Sequence, residues 1–266
     1  MATPESSTPL KDDNGIIVAP APWKLKCRTW MLLTSPLSSN KQGGALFPAG
    51  WAAPFQYEAL QKGQFLGGPG MVMLVQYAET PVGPYDELMW IAGKFSMAEL
   101  ASEKKKINGN RITRIYVSTK ESTANGRRNW NIPKQVAKFN YTHEADGSWD
   151  LAVSLRQKIS TKPISHSSIF LRIRFQFLPP IPKGPPGYPP EVIESECTDD
   201  GQEPKWASLV PDIRGSMYIA TFKPKVAVKE GKNAIADGIS FPAMDPWRLA
   251  VVMEDVRINF GEAEWH

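Results

Sequence analysis

The segment Gln135–Gln157, QVAKFNYTHEADGSWDLAVSLRQ, decides the fold class. Its two arms flank Asp146-Gly147, a dipeptide suited to a tight hairpin turn because glycine adopts positive φ freely. In the second arm Trp149, Leu151, Val153 and Leu155 alternate with Asp150, Ala152 and Ser154. A period of two puts the first set on one face, as in a half-buried strand. Ser168–Leu178 repeats the pattern, with Ile169, Leu171, Ile173, Phe175 and Phe177 on one side and Arg172, Arg174 and Gln176 on the other. Met71–Tyr77, Ile112–Ser118, Met217–Phe222 and Leu249–Phe260 are further strand candidates. Only about Ser122–Asn129 reads as a short helix between strands. Residues 43–70 are rich in Gly, Ala and Pro and read as irregular loops with one helical turn near Tyr57–Gln61. Gly67-Gly68-Pro69-Gly70 reads as a turn.

Composition points the same way. The 266 residues include 24 prolines, nearly twice the average usage of about 5%. Proline is costly inside helices, so helical bundles, coiled coils and helical solenoids are disfavoured. The expected architecture is mostly β (α+β): one domain over 21–266, on a closed or strongly curved, largely antiparallel β-barrel with a few short helices. Residues 1–20 are expected to be a flexible tail, and the Pro-rich stretch 179–211 a surface excursion. Barrels of this kind often enclose a ligand cavity.

Several function classes drop out. A net charge of +4, with both signs mixed along the chain, predicts no nucleic-acid partner. Lys104-Lys105-Lys106 reads as a solvated loop. No stretch approaches the ~20 apolar residues of a membrane span, and the polar N-terminus lacks an apolar signal core. Cys27 and Cys197 cannot build a disulfide framework, so a cytoplasmic, reducing location is expected. His143, His166 and His266 lie far apart, so no histidine metal site is expected. GxxxxGK[ST], GxGxxG and GxSxG are all absent, and no cofactor is expected.

The chemistry lies just ahead of the opening hairpin, in Gly126–Lys134, GRRNWNIPK. On composition alone Lys134 is a surface lysine after a turn proline. The pattern GRxxWxxPK, however, resembles the signature of the acetoacetate decarboxylase superfamily, in which the lysine after the proline forms an imine with a ketone. Gly83-Pro84-Tyr85-Asp86-Glu87 resembles that family's Gly-x-Tyr-x-Glu element. Arg111–Ser118 resembles the strand ahead of the lysine helix. The wording is most similar to a fungal branch associated with small-molecule pathways. The resemblance extends over roughly 71–178. It implies a cone-shaped barrel with the lysine inside, a small-molecule carbonyl substrate and a homo-oligomer.

By that resemblance Lys134 and Glu87 are the catalytic candidates, with Glu87 orienting substrate or moving protons. Trp130 of the signature, and Arg28 as counterpart of the family's substrate-binding arginine, are substrate-binding candidates. Arg114 is expected to face the cavity with Tyr116 and to bind a carboxylate or enolate oxygen. Arg127 is expected to pack around the lysine loop. The chain departs from the family pattern at Gln135, where a second lysine is usual, and near Val72, where a further carboxylate is usual.

The physical demand on Lys134 is clear. An amine attacks a carbonyl only when neutral, and at an ordinary pKa of about 10.4 roughly one lysine in 2,500 is neutral at pH 7. Burial in an apolar barrel is expected to lower that pKa. Once formed, the protonated imine is an electron sink. The expected function is therefore a Schiff-base lyase acting on a β-keto acid or related carbonyl intermediate, by decarboxylation or by aldol or dehydration chemistry. The alternatives are a cyclase or isomerase working without an imine, and a non-catalytic binder of an apolar small molecule.

Overall fold

The computed structural model describes residues 9–37, 50–53, 63–97, 107–146, 148–155, 169–177, 192–195, 206–224, 226–227, 233–244 and 246–265. Lys104–Lys106, Tyr57–Gln61, His166 and Cys197 lie outside them. The strands are β1 (Trp23–Leu37), β2 (Gly63–Glu79), β3 (Tyr85–Met97), β4 (Ile107–Val117), β5 (Lys134–His143), β6 (Trp149–Leu155) and β7 (Ile169–Phe177). They continue as β8 (Val192–Ser195), β9 (Trp206–Leu209), β10 (Asp212–Pro224), β11 (Val226–Ala227), β12 (Asn233–Ala234), β13 (Leu249–Phe260) and β14 (Glu264–Trp265). One helix, α1 (Lys120–Trp130), lies between β4 and β5.

Twelve strands form one mixed sheet in the order β14-β9-β8-β4-β3-β2-β1-β13-β10-β7-β6-β5, and β11 pairs with β12 apart from it. The hairpin that opened the sequence reading is β5–β6, antiparallel from Ala137↔Leu155 to His143↔Trp149. The expected barrel is met only in part. The chain is strand-rich and its ladders are mostly antiparallel, but a regular closed barrel is not formed. β4 and β5 touch in parallel only at Ile115↔Lys134, Tyr116↔Gln135 and Val117↔Val136. The contact is short because β4 ends at Val117, soon after β5 begins.

That parallel contact explains the helix. Parallel neighbours cannot be joined by a tight turn and need a crossover, usually helical. Thr119 caps its start, its side chain accepting from the Ser122 N–H at 3.2 Å. Asn131 ends it at φ 52°, a left-handed conformation that Asn tolerates.

Two apolar clusters occupy the two faces of the strands. Trp30, Leu74, Leu88, Trp90, Val153 and Phe222 belong to one. Trp23, Leu25, Val75, Met89, Ile115 and Trp130 belong to the other. β3 serves both, so Leu88, Met89, Trp90, Ile91 and Ala92 are all buried. A strand buried on both sides shows no alternation, so the signal that β3 offered was its continuous apolar run Leu88–Ala92, which the sequence reading did not use. Residues 63–70, expected as loop, belong to β2. Gly67 and Gly68 take φ of 78° and 100° at a register shift against β3, so the expected turn is an irregularity inside a strand.

Within the stretch expected as a flexible tail, residues 9–20 are placed. Lys11 bridges to Ile17. The Ala19 N–H donates to Asn125 Oδ1 at 2.8 Å, and Asn125 Nδ2 donates to the Ile17 carbonyl at 2.7 Å. β8 and β9 fall within the expected 179–211 excursion and pair with each other.

Candidate active site

Lys134 is the first residue of β5, and the crossover aims it. The Ile132 N–H donates to the Gly126 carbonyl at 3.3 Å, and the Lys134 N–H donates to the Ile132 carbonyl at 2.7 Å, closing a tight turn through Pro133. Arg127 donates from Nε and Nη2 to the Lys134 carbonyl at 3.0 and 2.6 Å. Its expected role beside the lysine loop is what the geometry has it doing. The Lys134 side chain then runs back beneath α1, where Gly126 leaves room for it: a Cβ on Gly126 would stand 2.6 Å from Lys134 Cδ.

Strand register supplies the partners. Cys27 on β1 stands opposite Tyr77 on β2, and Tyr77 opposite Tyr85 on β3. Two residues beyond Tyr85, hence on the same face, comes Glu87. Lys134 Nζ is 2.7 Å from Glu87 Oε2, with both side chains almost fully buried. The ammonium also donates to Ser122 Oγ at 3.2 Å and, at a longer 3.5 Å, to the Tyr85 hydroxyl. The hydrogen bonds thus go to the two hydroxyls, and the Glu87 contact is an ion pair. The Tyr77 hydroxyl donates to Glu87 Oε1 at 3.3 Å.

The electrostatics reverse one expectation. Burial alone pushes the Lys134 pKa down, but the Glu87 carboxylate and the neighbouring Tyr85 outweigh it, and the net shift is upward. Lys134 therefore rests as an ammonium, not as the pre-formed neutral amine that burial alone predicted. Burial, opposed by the Lys134 charge, raises Tyr85 to about 12. Burial and the Glu87 charge raise Cys27 to about 12 and Tyr77 well above its ordinary value. Around the ion pair the phenols and the thiol stay protonated at neutral pH.

The pair sits in the wall of a cavity of about 220 Å³. Among the described residues its polar lining consists of Thr29, Tyr77, Tyr85, Glu87 and Lys134, and the others in the wall are apolar. Trp130 is part of the wall, fixed edge-on to Trp23 and Phe260 at 5.1 and 4.8 Å between ring centroids. Its Nε1 donates to the Gly261 carbonyl at 2.9 Å. Among the described residues no three metal-ligating side chains come together, and no helix is long and apolar enough to cross a membrane.

No family model matches the chain, and no curated protein matches it by sequence. Solved structures do match. An acetoacetate decarboxylase from Legionella pneumophila superposes with a TM-score of 0.59 at 10% identity, covering 98% of this chain and 93% of that one. The enduracididine biosynthesis enzyme MppR, complexed with pyruvate, gives 0.57 at 11% identity, covering 97% and 98%. MppR with the condensation product of pyruvate and imidazole 4-carboxaldehyde gives 0.55 at 12%, covering 98% of each chain. The chain has an acetoacetate decarboxylase-like fold. At these identities the likeness concerns the fold alone, and it does not bear on the fungal branch.

Within this acetoacetate decarboxylase-like fold, three candidate residues meet at the cavity: Lys134, Glu87 and Trp130. The other three do not. Arg114 and Tyr116 alternate with Ile115 and Val117 as expected, but Ile115 lines the cavity and Tyr116 belongs to the opposite cluster. There Arg114 Nε donates to the Tyr116 hydroxyl at 2.9 Å and the Ser240 carbonyl at 2.7 Å, and Nη1 donates to the Ala52 carbonyl at 2.6 Å. The expectation that they face the cavity is corrected: Arg114 and Tyr116 tie two loop segments to the far face of β4. Arg28 pairs with Glu254 at 2.8 Å and is not in the cavity wall. Val72 belongs to the cluster on the other face.

Sequence reasoning missed Tyr77, Tyr85, Ser122 and Gly126 as site residues. Tyr85 had a signal, since it stands two before Glu87. Tyr77 required the β2–β3 register, and Ser122 required the crossover geometry, neither of which a single sequence displays.

Proposed function

We propose that this chain is a Schiff-base enzyme of the lyase type, joining Lys134 to the carbonyl carbon of an intermediate in a small-molecule, secondary-metabolite pathway. The observation that carries the proposal is the buried Lys134–Glu87 pair, 2.7 Å apart, in the wall of an apolar cavity.

The pair solves the protonation problem internally. Lys134 rests as an ammonium, so its proton must leave before attack, and Glu87 is in contact to take it. Filling the cavity excludes water and disfavours both charges, which favours the neutral pair. The amine nitrogen then attacks the carbonyl carbon. Proton transfer gives a neutral carbinolamine, and Glu87 returns its proton to the carbinolamine oxygen, which leaves as water. The products are a protonated imine and a Glu87 carboxylate, with charge and protons balanced. Glu87 is then placed to remove a proton beside the imine carbon. A structural neighbour holding the condensation product of pyruvate and an aldehyde supports carbon–carbon chemistry, as well as decarboxylation, as an outcome on this fold. The carbonyl substrate class, the homo-oligomer and the fungal pathway setting are carried forward on the sequence resemblance.

The test is borohydride reduction in the presence of a small methyl ketone, followed by peptide mass mapping. The expected result is one added alkyl group on Lys134 and none on exposed lysines such as Lys26. A ketone that binds and leaves Lys134 unmodified contradicts the proposal. The Lys134→Met/Glu87→Gln double variant removes both charges together, so it keeps the cavity without an unpaired buried ion and is the unreactive folded control. The upward shift of the Lys134 pKa favours a second reading, a cyclase or isomerase in which the ammonium acts as an acid. The same trapping experiment separates the two.

A further inference from the structure

We infer that the substrate is an uncharged, apolar ketone or aldehyde and not a keto acid; this rests on the imine reading above and names its substrate class. The charged groups in the cavity wall, among the described residues, are Lys134 and Glu87. They neutralise each other at 2.7 Å. The three arginines with a sequence claim on substrate binding or on the lysine loop are occupied elsewhere. Arg28 holds Glu254, Arg114 holds the Ala52 and Ser240 carbonyls, and Arg127 holds the Lys134 carbonyl. A carboxylate entering this cavity would bring a net negative charge into an apolar wall, beside a carboxylate already there. Burying an ion without its own partner is strongly unfavourable.

The rest of the wall describes the body of the molecule. Six of the chain's nine methionines line the cavity: Met31, Met71, Met73, Met89, Met217 and Met253. Methionine is unbranched, polarizable and adaptable, and it packs against irregular aliphatic or aromatic surfaces. A dry apolar cavity of about 150 Å³ takes one benzene, so about 220 Å³ accommodates roughly nine non-hydrogen atoms in the same proportion. The remaining polar groups, Thr29 and the Tyr77 and Tyr85 hydroxyls, are neutral and suit the single oxygen of a carbonyl or carbinolamine. A substrate of this class has no carboxylate to lose. The imine at Lys134 is thereby directed to aldol cleavage, aldol condensation or dehydration, and away from decarboxylation.

The test compares two methyl ketones of equal size, 6-methyl-2-heptanone and 5-oxohexanoate, in which an isopropyl group replaces the carboxylate. Binding to the full chain is read from the fluorescence of Trp23 and Trp130, which line the cavity. Borohydride trapping at Lys134 is read separately by peptide mass mapping. The neutral ketone is expected to bind at least about tenfold more tightly. Equal or tighter binding of 5-oxohexanoate overturns the inference, whatever is trapped. Tighter binding of the neutral ketone with no adduct at Lys134 upholds the substrate class and overturns the imine. Quenching by neither ketone at millimolar concentration contradicts the assigned substrate class. A Met73→Lys variant, which introduces a cation into the wall, is expected to reverse the preference. Retained preference for the neutral ketone in a folded Met73→Lys protein also counts against the charge argument.

Discussion

Gly126 lies against the aliphatic stem of Lys134, and a Cβ added there would stand 2.6 Å from Cδ and 2.7 Å from Cε. Gly→Ala in a helix interior ordinarily stabilises by about 0.5–1 kcal/mol. Here the same change displaces the lysine stem. Gly126→Ala is expected to leave the melting temperature nearly unchanged while slowing ketone trapping at Lys134 by about tenfold or more. A trapping rate equal to wild type would remove the steric role of Gly126. Glu87 makes a second prediction. Its carboxylate is what turns the downward pull of burial into a net upward shift of Lys134. In the wild type, Lys134 reactivity should therefore keep climbing through about pH 9, since its pKa lies above the ordinary lysine range. In Glu87→Gln the burial remains and the main opposing charge is gone, so the profile should move to lower pH. An unmoved profile would mean that Glu87 does not set the charge on Lys134. The ion pair's stabilising contribution follows the same sign: full below the ordinary lysine pKa, and lost as pH rises through the raised value.

At the scale of elements, the crossover β4–α1–β5 is the working part. Its legibility in the sequence was uneven for physical reasons. The helix was legible as about Ser122–Asn129, within the Lys120–Trp130 that the structure shows. The hairpin β5–β6 was visible because β6 buries Leu151 and Val153 on one side and alternates. β3, buried on both sides, showed no alternation and offered only its apolar run Leu88–Ala92. The face of β4 was misassigned because alternation says which residues group together, not which group meets the cavity. Asn131 provides the element-scale test. Its φ of 52° suits Asn and Gly and strains other residues. Asn131→Ala is expected to cost about 1 kcal/mol in urea denaturation, and Asn131→Gly to cost little. Equal losses in the two variants would show that the left-handed cap does not limit stability.

At the scale of the molecule, the N-terminal segment, the helix and the cavity form one connected assembly. Asn125 is fully buried. It receives the Ala19 N–H and donates to the Ile17 and Glu121 carbonyls, fastening residues 17–19 to the helix that carries Ser122 and Gly126. Asn125→Ala is expected to lower unfolding free energy by about 1–3 kcal/mol, because buried backbone groups lose their partners; no loss in urea denaturation would rule this fastening out. The identity of Lys134 and Glu87 as a pair was legible only through three short motifs resembling one family. The apolar, charge-neutral character of their cavity was not legible, because it depends on six methionines drawn from five strands and on arginines turned elsewhere. On the proposed reading, Lys134 becomes covalently joined to a neutral carbonyl compound through an imine. Carbon-13 NMR of 6-methyl-2-heptanone labelled at its carbonyl, bound to the protein without reductant, tests it most directly. The bound ketone resonance is expected to be replaced by that of an iminium carbon, and Lys134→Met/Glu87→Gln to show only the ketone. A labelled carbon that stays a ketone while tryptophan quenching shows the cavity filled would contradict it.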